Sequence, residues 1–135
     1  QVANWTVAYT KLHNFHWNVK GPNFFSLHTK FEELYDEASQ YVDDLAERIL
    51  AIGGNPIGTL TESLDKSIVK EAGKNYAAEQ MVEELSHDFT NISKQLEHAI
   101  EVAGNAGDDV SEDMFIGMQT SVDKHNWMLQ SYLGK

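Results

Sequence analysis

Apolar residues between positions 24 and 52 recur at steps of three and four. This spacing places side chains along one side of an α-helix. The apolar positions are Phe24, Leu27, Phe31, Leu34, Ala38, Val42, Leu45, Ile49 and Ile52. The pattern therefore predicts a long amphipathic helix whose apolar side lies in the core.

The same spacing predicts three further long helices, at about residues 2–19, 76–103 and 110–133. Their predicted core positions are Val2, Trp5, Ala8, Leu12, Phe15 and Val19, then Met81, Leu85, Phe89, Ile92, Leu96 and Ile100, then Met114, Met118, Val122, His125, Leu129 and Tyr132. Trp17 and Trp127 are also at core spacing.

Helix-breaking residues separate these segments. Gly21-Pro22 separates the first two helices, with Asn23 expected to cap the second, and a turn beginning at Gly104 separates the last two. A long crossover follows Gly53, and within it residues 59–62 (TLTE) have the pattern of a capping box. Two short turns and one long crossover predict an all-α, ferritin-like four-helix bundle with a short extra helix, in a single domain of residues 1–135.

One face of the second helix combines carboxylates with other residue types. At about 100° per residue, His28, Glu32, Asp43 and Glu47 share this face. Small and apolar residues lie among them, whereas the opposite side of the helix is evenly polar. The mixed face therefore predicts contact with another surface.

The rise of the helix separates the nitrogen ligands from the oxygen ligands. His28 and Asp43 are 15 residues apart, which is about 22 Å along a helix, so one chain cannot place both on one metal ion. If two copies pack antiparallel about a two-fold axis near residues 35–37, His28 lies opposite Asp43 and Glu47 of the partner subunit, in two equivalent places. A helical hairpin also brings His16 to the same end as His28.

This set of imidazole and carboxylate ligands suits Fe(II), with Zn(II) and Mn(II) as competitors. The alternative is a helix pair with surface acids and two structural histidines. The spacing alone leaves both interpretations open.

Two other histidine patterns are interpreted as ordinary structure. Glu84 and His87 form a Glu-x-x-His motif, but carboxylate di-iron bundles need two copies and the chain has one, which favours an exposed face. His13 forms an i, i+3 pair with His16, and its aromatic neighbours favour a packed or surface histidine.

Acidic residues begin the fourth helix. Asp108, Asp109, Glu112 and Asp113 lie where carboxylates complement the positive end of the helix dipole. If several chains met there around a three-fold axis, the same acids would form a pore that attracts cations.

Composition narrows the function classes. The chain has 10 basic and 21 acidic residues and a net charge of -11, the wrong sign for wrapping DNA but suited to cations. The absence of cysteine excludes thiolate metal sites and disulfides, and no apolar run has membrane-spanning length, so we expect a cytoplasmic protein without a membrane partner. The chain opens at Gln1 inside a helical pattern, which leaves room for an upstream tail.

Residues 13–50, HNFHWNVKGPNFFSLHTKFEELYDEASQYVDDLAERIL, closely resemble the Dps family of mini-ferritins, named as DNA-binding proteins of starved cells. The specific part of the resemblance is His16-Trp17, then His28, then Asp43 with Glu47. The segments GDDVSEDM and DKHNWML resemble the family's fourth helix.

The resemblance implies a hollow dodecamer with ferroxidase centres shared across two-fold interfaces. His16 and His28 would come from one subunit and Asp43 and Glu47 from its neighbour, with Glu47 bridging two metal positions. Fe(II) would be oxidised there by hydrogen peroxide in preference to oxygen and stored as a ferric mineral, which protects DNA chemically.

The resemblance also implies roles outside the ligand set. Trp17 resembles a tryptophan that takes up stray oxidising equivalents, and Asp109 and Asp113 resemble acids of iron-entry pores. Where many relatives carry Asp, this chain has Glu32, whose longer side chain leaves direct ligation or ligation through water open. Where relatives can add another pore acid, this chain has Gly104.

Two other functions are alternatives to a mini-ferritin. One is a nucleoid protein that acts mainly by binding and compacting DNA, and the other is a helical interaction bundle without chemistry. DNA binding in the family often uses lysine-rich terminal tails, and this chain ends with only Lys135. Direct DNA binding by this chain is therefore not expected.

Overall fold

A computed structural model describes residues 1–135 and contains five α-helices and no strand. The helices are α1 (Val2–Asn18), α2 (Phe24–Ala51), α3 (Leu60–Lys66), α4 (Ala78–Asn105) and α5 (Asp109–Tyr132). The predicted all-α class and the short helix in the crossover are confirmed. No helix has the length and apolar character needed to span a membrane. The chain divides into two compact units, Gln1–Met81 and Val82–Lys135, and a single domain stays a prediction.

In the first unit, α1 and α2 form an antiparallel hairpin. Ring centroids lie 4.9 Å apart for Trp5 and Tyr41 and 6.2 Å apart for Tyr9 and Tyr35. The later residue of α1 thus contacts the earlier residue of α2, which shows that the two helices run in opposite directions. The predicted core of both helices is buried at Val2, Trp5, Ala8, Leu12, Phe15, Val19, Leu27, Phe31, Leu34, Ala38 and Leu45.

Four predicted core positions are exposed in the chain: Ile52, Trp17, Trp127 and Tyr132, the last of which is 36% exposed. Ile52 is 58% exposed because α2 ends at Ala51, one residue before it. Trp17 and Trp127 are 70% and 65% exposed, so their assignment to the core is wrong for the single chain. Trp17 follows the buried Phe15 by two residues, which is about 200° around the helix and away from the core.

The crossover is held against α1. Thr59 caps α3 by accepting a hydrogen bond from the Glu62 backbone N–H at 3.2 Å, as the capping-box pattern predicts. The buried Asn4 of α1 accepts a bond from the Ile68 N–H at 3.0 Å. This bond satisfies a backbone donor and fixes the chain beyond α3.

In the second unit, α4 and α5 are also antiparallel. The Ser86 hydroxyl donates to Asn126 Oδ1 at 2.8 Å, and the Ser93 hydroxyl donates to Asp123 Oδ1 at 2.6 Å. In this unit the predicted core of α4 is buried at Leu85, Phe89, Ile92 and Leu96, and that of α5 at Met118, Val122, His125 and Leu129; Met81 of α4, the last residue of the first unit, is buried as well.

Two predicted helix ends differ from the structure. α4 continues through Gly104 to Asn105, because Gly107, with φ 70°, supplies the left-handed residue that ends it. The Gly107 N–H bonds the Gly104 carbonyl at 3.1 Å and the Asp108 N–H bonds the Ala103 carbonyl at 2.9 Å, which is a Schellman motif. Asn23 is the N-cap residue of α2, but its side chain makes no capping hydrogen bond.

Candidate metal centre

His16 and His28 meet at the turn between α1 and α2. His16 Nδ1 lies 2.7 Å from the backbone carbonyl oxygen of His28, and His28 Nδ1 lies 2.8 Å from the carbonyl oxygen of His16. The antiparallel hairpin therefore brings both imidazoles to one end of the helix pair, as the sequence predicts.

These two hydrogen bonds select the tautomer of each ring. A carbonyl oxygen can only accept, so each Nδ1 carries the proton and donates it. In the neutral imidazole, Nε2 then carries the free lone pair. A histidine that ligates a metal usually has its other ring nitrogen fixed in this way, by a carbonyl or a carboxylate.

The two imidazoles also stack. Their centroids lie 3.6 Å apart and their planes differ by 18°. The Nε2 lone pairs lie in these nearly parallel planes, so they do not converge on one ion at a normal nitrogen to metal distance of about 2.1 Å. The pair suits two neighbouring metal positions better than one.

Tyr35 is a neighbour of the histidines that the sequence analysis did not assign to the site. Its ring meets the His16 ring edge to face at 5.3 Å, and its hydroxyl donates a long hydrogen bond of 3.4 Å to Glu32 Oε1. Lost hydration, and then the negative charges of Glu32 and Asp36, raise the pKa of the Tyr35 phenol above its ordinary value. The sequence feature that could have indicated this contact is spacing, because Tyr35 follows His28 by seven residues and Glu32 by three on one helix, which places all three side chains on the same face.

Further rings surround the histidine pair. Phe24 stacks on His28 at 4.9 Å, and His13 stacks on Tyr35 at 3.7 Å. His13 also contacts the Trp17 ring at 5.2 Å. His13 is half-buried among these rings, which agrees with its interpretation as a packed or surface histidine.

Glu32 lies one helical turn after His28, whereas Asp43 and Glu47, the other carboxylates of the predicted site, lie towards the far end of the same helix. Glu32, Asp43 and Glu47 are all exposed in the single chain. Because α2 is unbroken from Phe24 to Ala51, Asp43 lies about 22 Å along the axis from His28. No group of three or more His, Asp or Glu residues within the chain is placed to hold a metal ion.

Asp43 lies in an open groove between α1 and α2. The groove has a volume of about 630 Å³ and is lined by Thr6, Tyr9, Asp36, Ser39, Gln40, Val42, Asp43 and Ala46. Asp43 is exposed in the chain, and the Asp36 carboxylate borders the same groove.

The acids of α5 have local roles that the structure describes. Asp108 accepts a hydrogen bond from the Ser111 N–H at 3.1 Å, which confirms it as the cap of α5. Asp109 and Asp113 are exposed. The space beside Gly104 is taken by Glu112, whose Oε1 would lie 2.9 Å from a Cβ added at Gly104.

Comparison with known proteins decides the family. Residues 1–135 match the family described as ferritin-like domain. The DNA protection during starvation protein of Brevibacillus brevis is 52% identical over 133 residues, which cover 98% of this chain and 89% of that protein. The crystal structure of Dps from Staphylococcus aureus has 87% sequence identity and a TM-score of 0.97, covering 98% of this chain and 89% of that chain. The chain belongs to the Dps family.

Other Dps-family comparisons agree in sequence and fold. General stress protein 20U of Bacillus subtilis is 54% identical over 134 residues, covering 99% of this chain and 92% of that protein. The structure of Dps from Listeria innocua soaked with zinc has a TM-score of 0.96 at 42% identity, covering 100% of this chain and 92% of that chain. The predicted ferritin-like fold and the resemblance to the Dps family are both confirmed.

Proposed function

We propose that this chain is the subunit of a dodecameric mini-ferritin that oxidises Fe(II) and stores the Fe(III) as mineral. Each oxidation site lies between two subunits related by a two-fold axis. His16 and His28 come from one subunit, and Asp43 and Glu47 come from the other.

The observation that carries this proposal is the pair of reciprocal hydrogen bonds between His16 and His28. They hold both Nδ1 protons on backbone carbonyls and leave both Nε2 atoms as ligands. Any buried histidine needs an acceptor for its ring N–H, and here both acceptors are used by Nδ1, so the same nitrogen, Nε2, stays free in both rings. The half of the site that one chain contributes is therefore formed before any metal or partner arrives.

The position of the carboxylates supports a shared site. Asp43 and Glu47 are exposed on the same helix face as His28, at the far end of an unbroken helix. A two-fold axis near Tyr35 turns the partner's helix end for end and brings its carboxylates to the histidines. Glu47 then bridges the two metal positions that the stacked rings favour. Glu32 contributes its Oε2 atom as a ligand, because its Oε1 atom accepts the hydrogen bond from Tyr35.

Two adjacent Fe(II) ions together supply the two electrons that one hydrogen peroxide molecule accepts. Each Fe(II) gives one electron, and hydrogen peroxide accepts two as its O–O bond breaks to give two hydroxides. The carboxylates favour the Fe(III) product through charge, and the imidazoles fix geometry. Oxygen is the slower alternative oxidant. DNA is protected because Fe(II) and peroxide are consumed together.

Several features support the rest of the proposal. An acidic surface attracts cations. Asp109 and Asp113 are exposed, so their carboxylates are available to line a cation pore where subunits meet at a three-fold axis. Zn(II) and Mn(II) compete for these ligands, and a Listeria innocua relative was soaked with zinc. We place the protein in the cytoplasm and assign DNA protection to iron chemistry, since a net charge of -11 opposes direct DNA binding.

The test is stopped-flow absorbance of the purified, metal-free assembly after Fe(II) loading. The proposal expects a fast phase with hydrogen peroxide, a slower one with oxygen, and sedimentation as a dodecamer. A sedimenting monomer, or oxidation no faster than that of Fe(II) in buffer, would overturn it.

A further inference from the structure

A pocket of the first unit lies between the end of α1 and the segment that leads into α4. Its volume is about 550 Å³, within the range of about 300–1,000 Å³ that small-molecule sites have. No acidic residue lines it, although 21 of the 135 residues are acidic. The pocket is therefore a place of positive charge and polar side chains in an acidic chain. Its polar lining residues are two lysines, three asparagines and a tyrosine, namely Lys20, Lys74, Asn14, Asn18, Asn75 and Tyr76.

The two lysines come from distant parts of the sequence. Lys20 lies two residues beyond α1, which ends at Asn18, and Lys74 belongs to the segment before α4. Both are exposed, and neither ammonium group forms an ion pair or a hydrogen bond within the chain. Two positive charges at one pocket repel each other, and the chain places no carboxylate in the lining to offset this. An anion taken from solution removes the repulsion.

The asparagines add neutral hydrogen-bonding groups. The Asn18 side-chain amide donates to the Asn14 backbone carbonyl at 2.8 Å and lies 3.5 Å from Asn14 Oδ1. The Asn14 side-chain oxygen thus faces Asn18, which leaves the Asn14 Nδ2 group as a donor for another partner. Asn75 has a φ of 63°, the one positive value outside the glycines. Residues held in this uncommon backbone region are often found at binding sites.

Tyr76 fixes the wall of the pocket against α1. Its ring meets the Phe15 ring edge to face at 5.6 Å. Its hydroxyl lies against Gly73, since a Cβ added at Gly73 would be 2.8 Å from the phenol oxygen. The backbone can pass this close to the phenol only because Gly73 has no side chain. The wall is therefore formed by packing before any ligand arrives, which lowers the entropic cost of binding.

We propose that this pocket binds the phosphate group of a small molecule, either inorganic phosphate or a phosphate monoester. Phosphate carries a charge of about −1.5 to −2 near pH 7 and offers several strong acceptor oxygens. Lys20 and Lys74 match this charge, and the Asn14 amide and the Tyr76 hydroxyl can donate to the oxygens. Two lysines in a concave pocket do not follow an extended DNA backbone. The inference is independent of iron oxidation.

The test is isothermal titration calorimetry of the purified, metal-free assembly with sodium phosphate and, separately, with adenosine monophosphate. Sodium chloride keeps the ionic strength constant, because salt screens exposed charges. We expect binding of one ligand per subunit. Lys20→Gln and Lys74→Gln should each weaken it by about 10- to 100-fold, since each removes a charge-assisted hydrogen bond. Lys70→Gln is the matched control, because Lys70 is an exposed lysine of the same segment outside the pocket lining.

Gly73→Ala gives a second variant that removes no donor. Its added methyl group displaces the Tyr76 phenol, so phosphate binding should weaken while both lysines remain. Circular dichroism checks that each variant keeps its helices.

The two probes distinguish the sources of the phosphate. Equal affinity for both assigns the phosphate group alone, and tighter binding of adenosine monophosphate that still needs both lysines assigns a monoester. The proposal is overturned by no heat with either probe, by binding that persists when both lysines are replaced, by an equal loss in Lys70→Gln, or by displacement of bound phosphate by a short DNA duplex.

Discussion

His16 and His28 are twelve residues apart in the chain, yet each ring donates a hydrogen bond to the backbone carbonyl of the other residue, at 2.7 and 2.8 Å. These bonds cross the hairpin between α1 and α2, so the packing of two helices orients both rings. An imidazole pair held by two packed helices is preorganised without help from a flexible loop, which suits the proposed role of His16 and His28 as ligands.

Replacing one proposed ligand from each half of the proposed site should remove fast iron oxidation. For His28→Ala combined with Asp43→Ala, we expect the initial rate of Fe(II) oxidation to fall by at least about 10- to 100-fold, because even supporting residues of metal sites cost that much. Stopped-flow absorbance measures the rate, and sedimentation checks that the assembly remains intact. His87→Ala is the control, since His87 is an exposed histidine on α4. Unchanged kinetics in the double variant would refute the assigned ligands.

Mixing two inactive variants restores activity if the site is shared. One variant carries His16→Ala and His28→Ala, and the other carries Asp43→Asn and Glu47→Gln. In a randomly mixed assembly, half of the two-fold interfaces join unlike subunits and each such interface has one complete site, so about a quarter of wild-type activity returns. The measurement is the Fe(II) oxidation rate after the two variants are unfolded and refolded together.

The control for this complementation is each variant refolded alone, which stays inactive. If every ligand came from one chain, the mixed assembly would contain no complete site. A mixture as inactive as its two components would therefore contradict the shared site.

The phenol of Tyr35 titrates above the ordinary tyrosine value of about 10. Lost hydration and the nearby Glu32 and Asp36 charges raise its pKa in the fold. The folded chain then holds a proton that the unfolded chain has released, so this contribution to stability is complete below the unfolded pKa and is lost as pH rises through the folded pKa. Metal-free wild type should lose more unfolding free energy between about pH 8 and 11 than Tyr35→Phe. The unfolding free energy of both proteins is measured in urea at each pH. If it falls equally with pH in wild type and in Tyr35→Phe, the fold does not disfavour the phenolate.

We expect that the 135-residue chain does not retard DNA in a gel at physiological salt. Ten basic residues against 21 acidic ones leave too little positive charge to neutralise phosphates. The positive control is the same chain with a lysine-rich peptide fused before Gln1, which is expected to bind and to release DNA as salt rises. Retardation by the unmodified chain would favour the alternative of a DNA-compacting nucleoid protein.

Gly107 is required for the turn between α4 and α5. Its φ of 70° is left-handed, so Gly107→Ala should lower the free energy of unfolding by about 1–2 kcal/mol. Gly117→Ala is the matched control inside α5, where an added Cβ has no neighbour within 4 Å, and it should be stabilising by about 0.5–1 kcal/mol. Chemical unfolding compares the two, and equal effects would contradict the assigned turn.

The two glycines between α4 and α5 show that the sequence pattern does not decide at which residue a helix ends. Both Gly104 and Gly107 can end a helix, and the sequence favoured the first. The structure uses the second, since α4 gains further backbone bonds before the left-handed residue closes the Schellman motif. Trp17 and Trp127 show the same limit, because core spacing does not say whether a neighbouring element covers a side chain.

The sequence by itself determined the helices, the breaks between them, the shared face of His28, Asp43 and Glu47, and the distance along that face between His28 and the two carboxylates proposed as ligands. These follow from the period and rise of the α-helix, which are local properties. Only the tertiary structure decided the tautomers of His16 and His28, the stacking of their rings and the place of Tyr35 beside them. Those depend on how two helices pack and which rotamers fit between them, and residue spacing does not encode either.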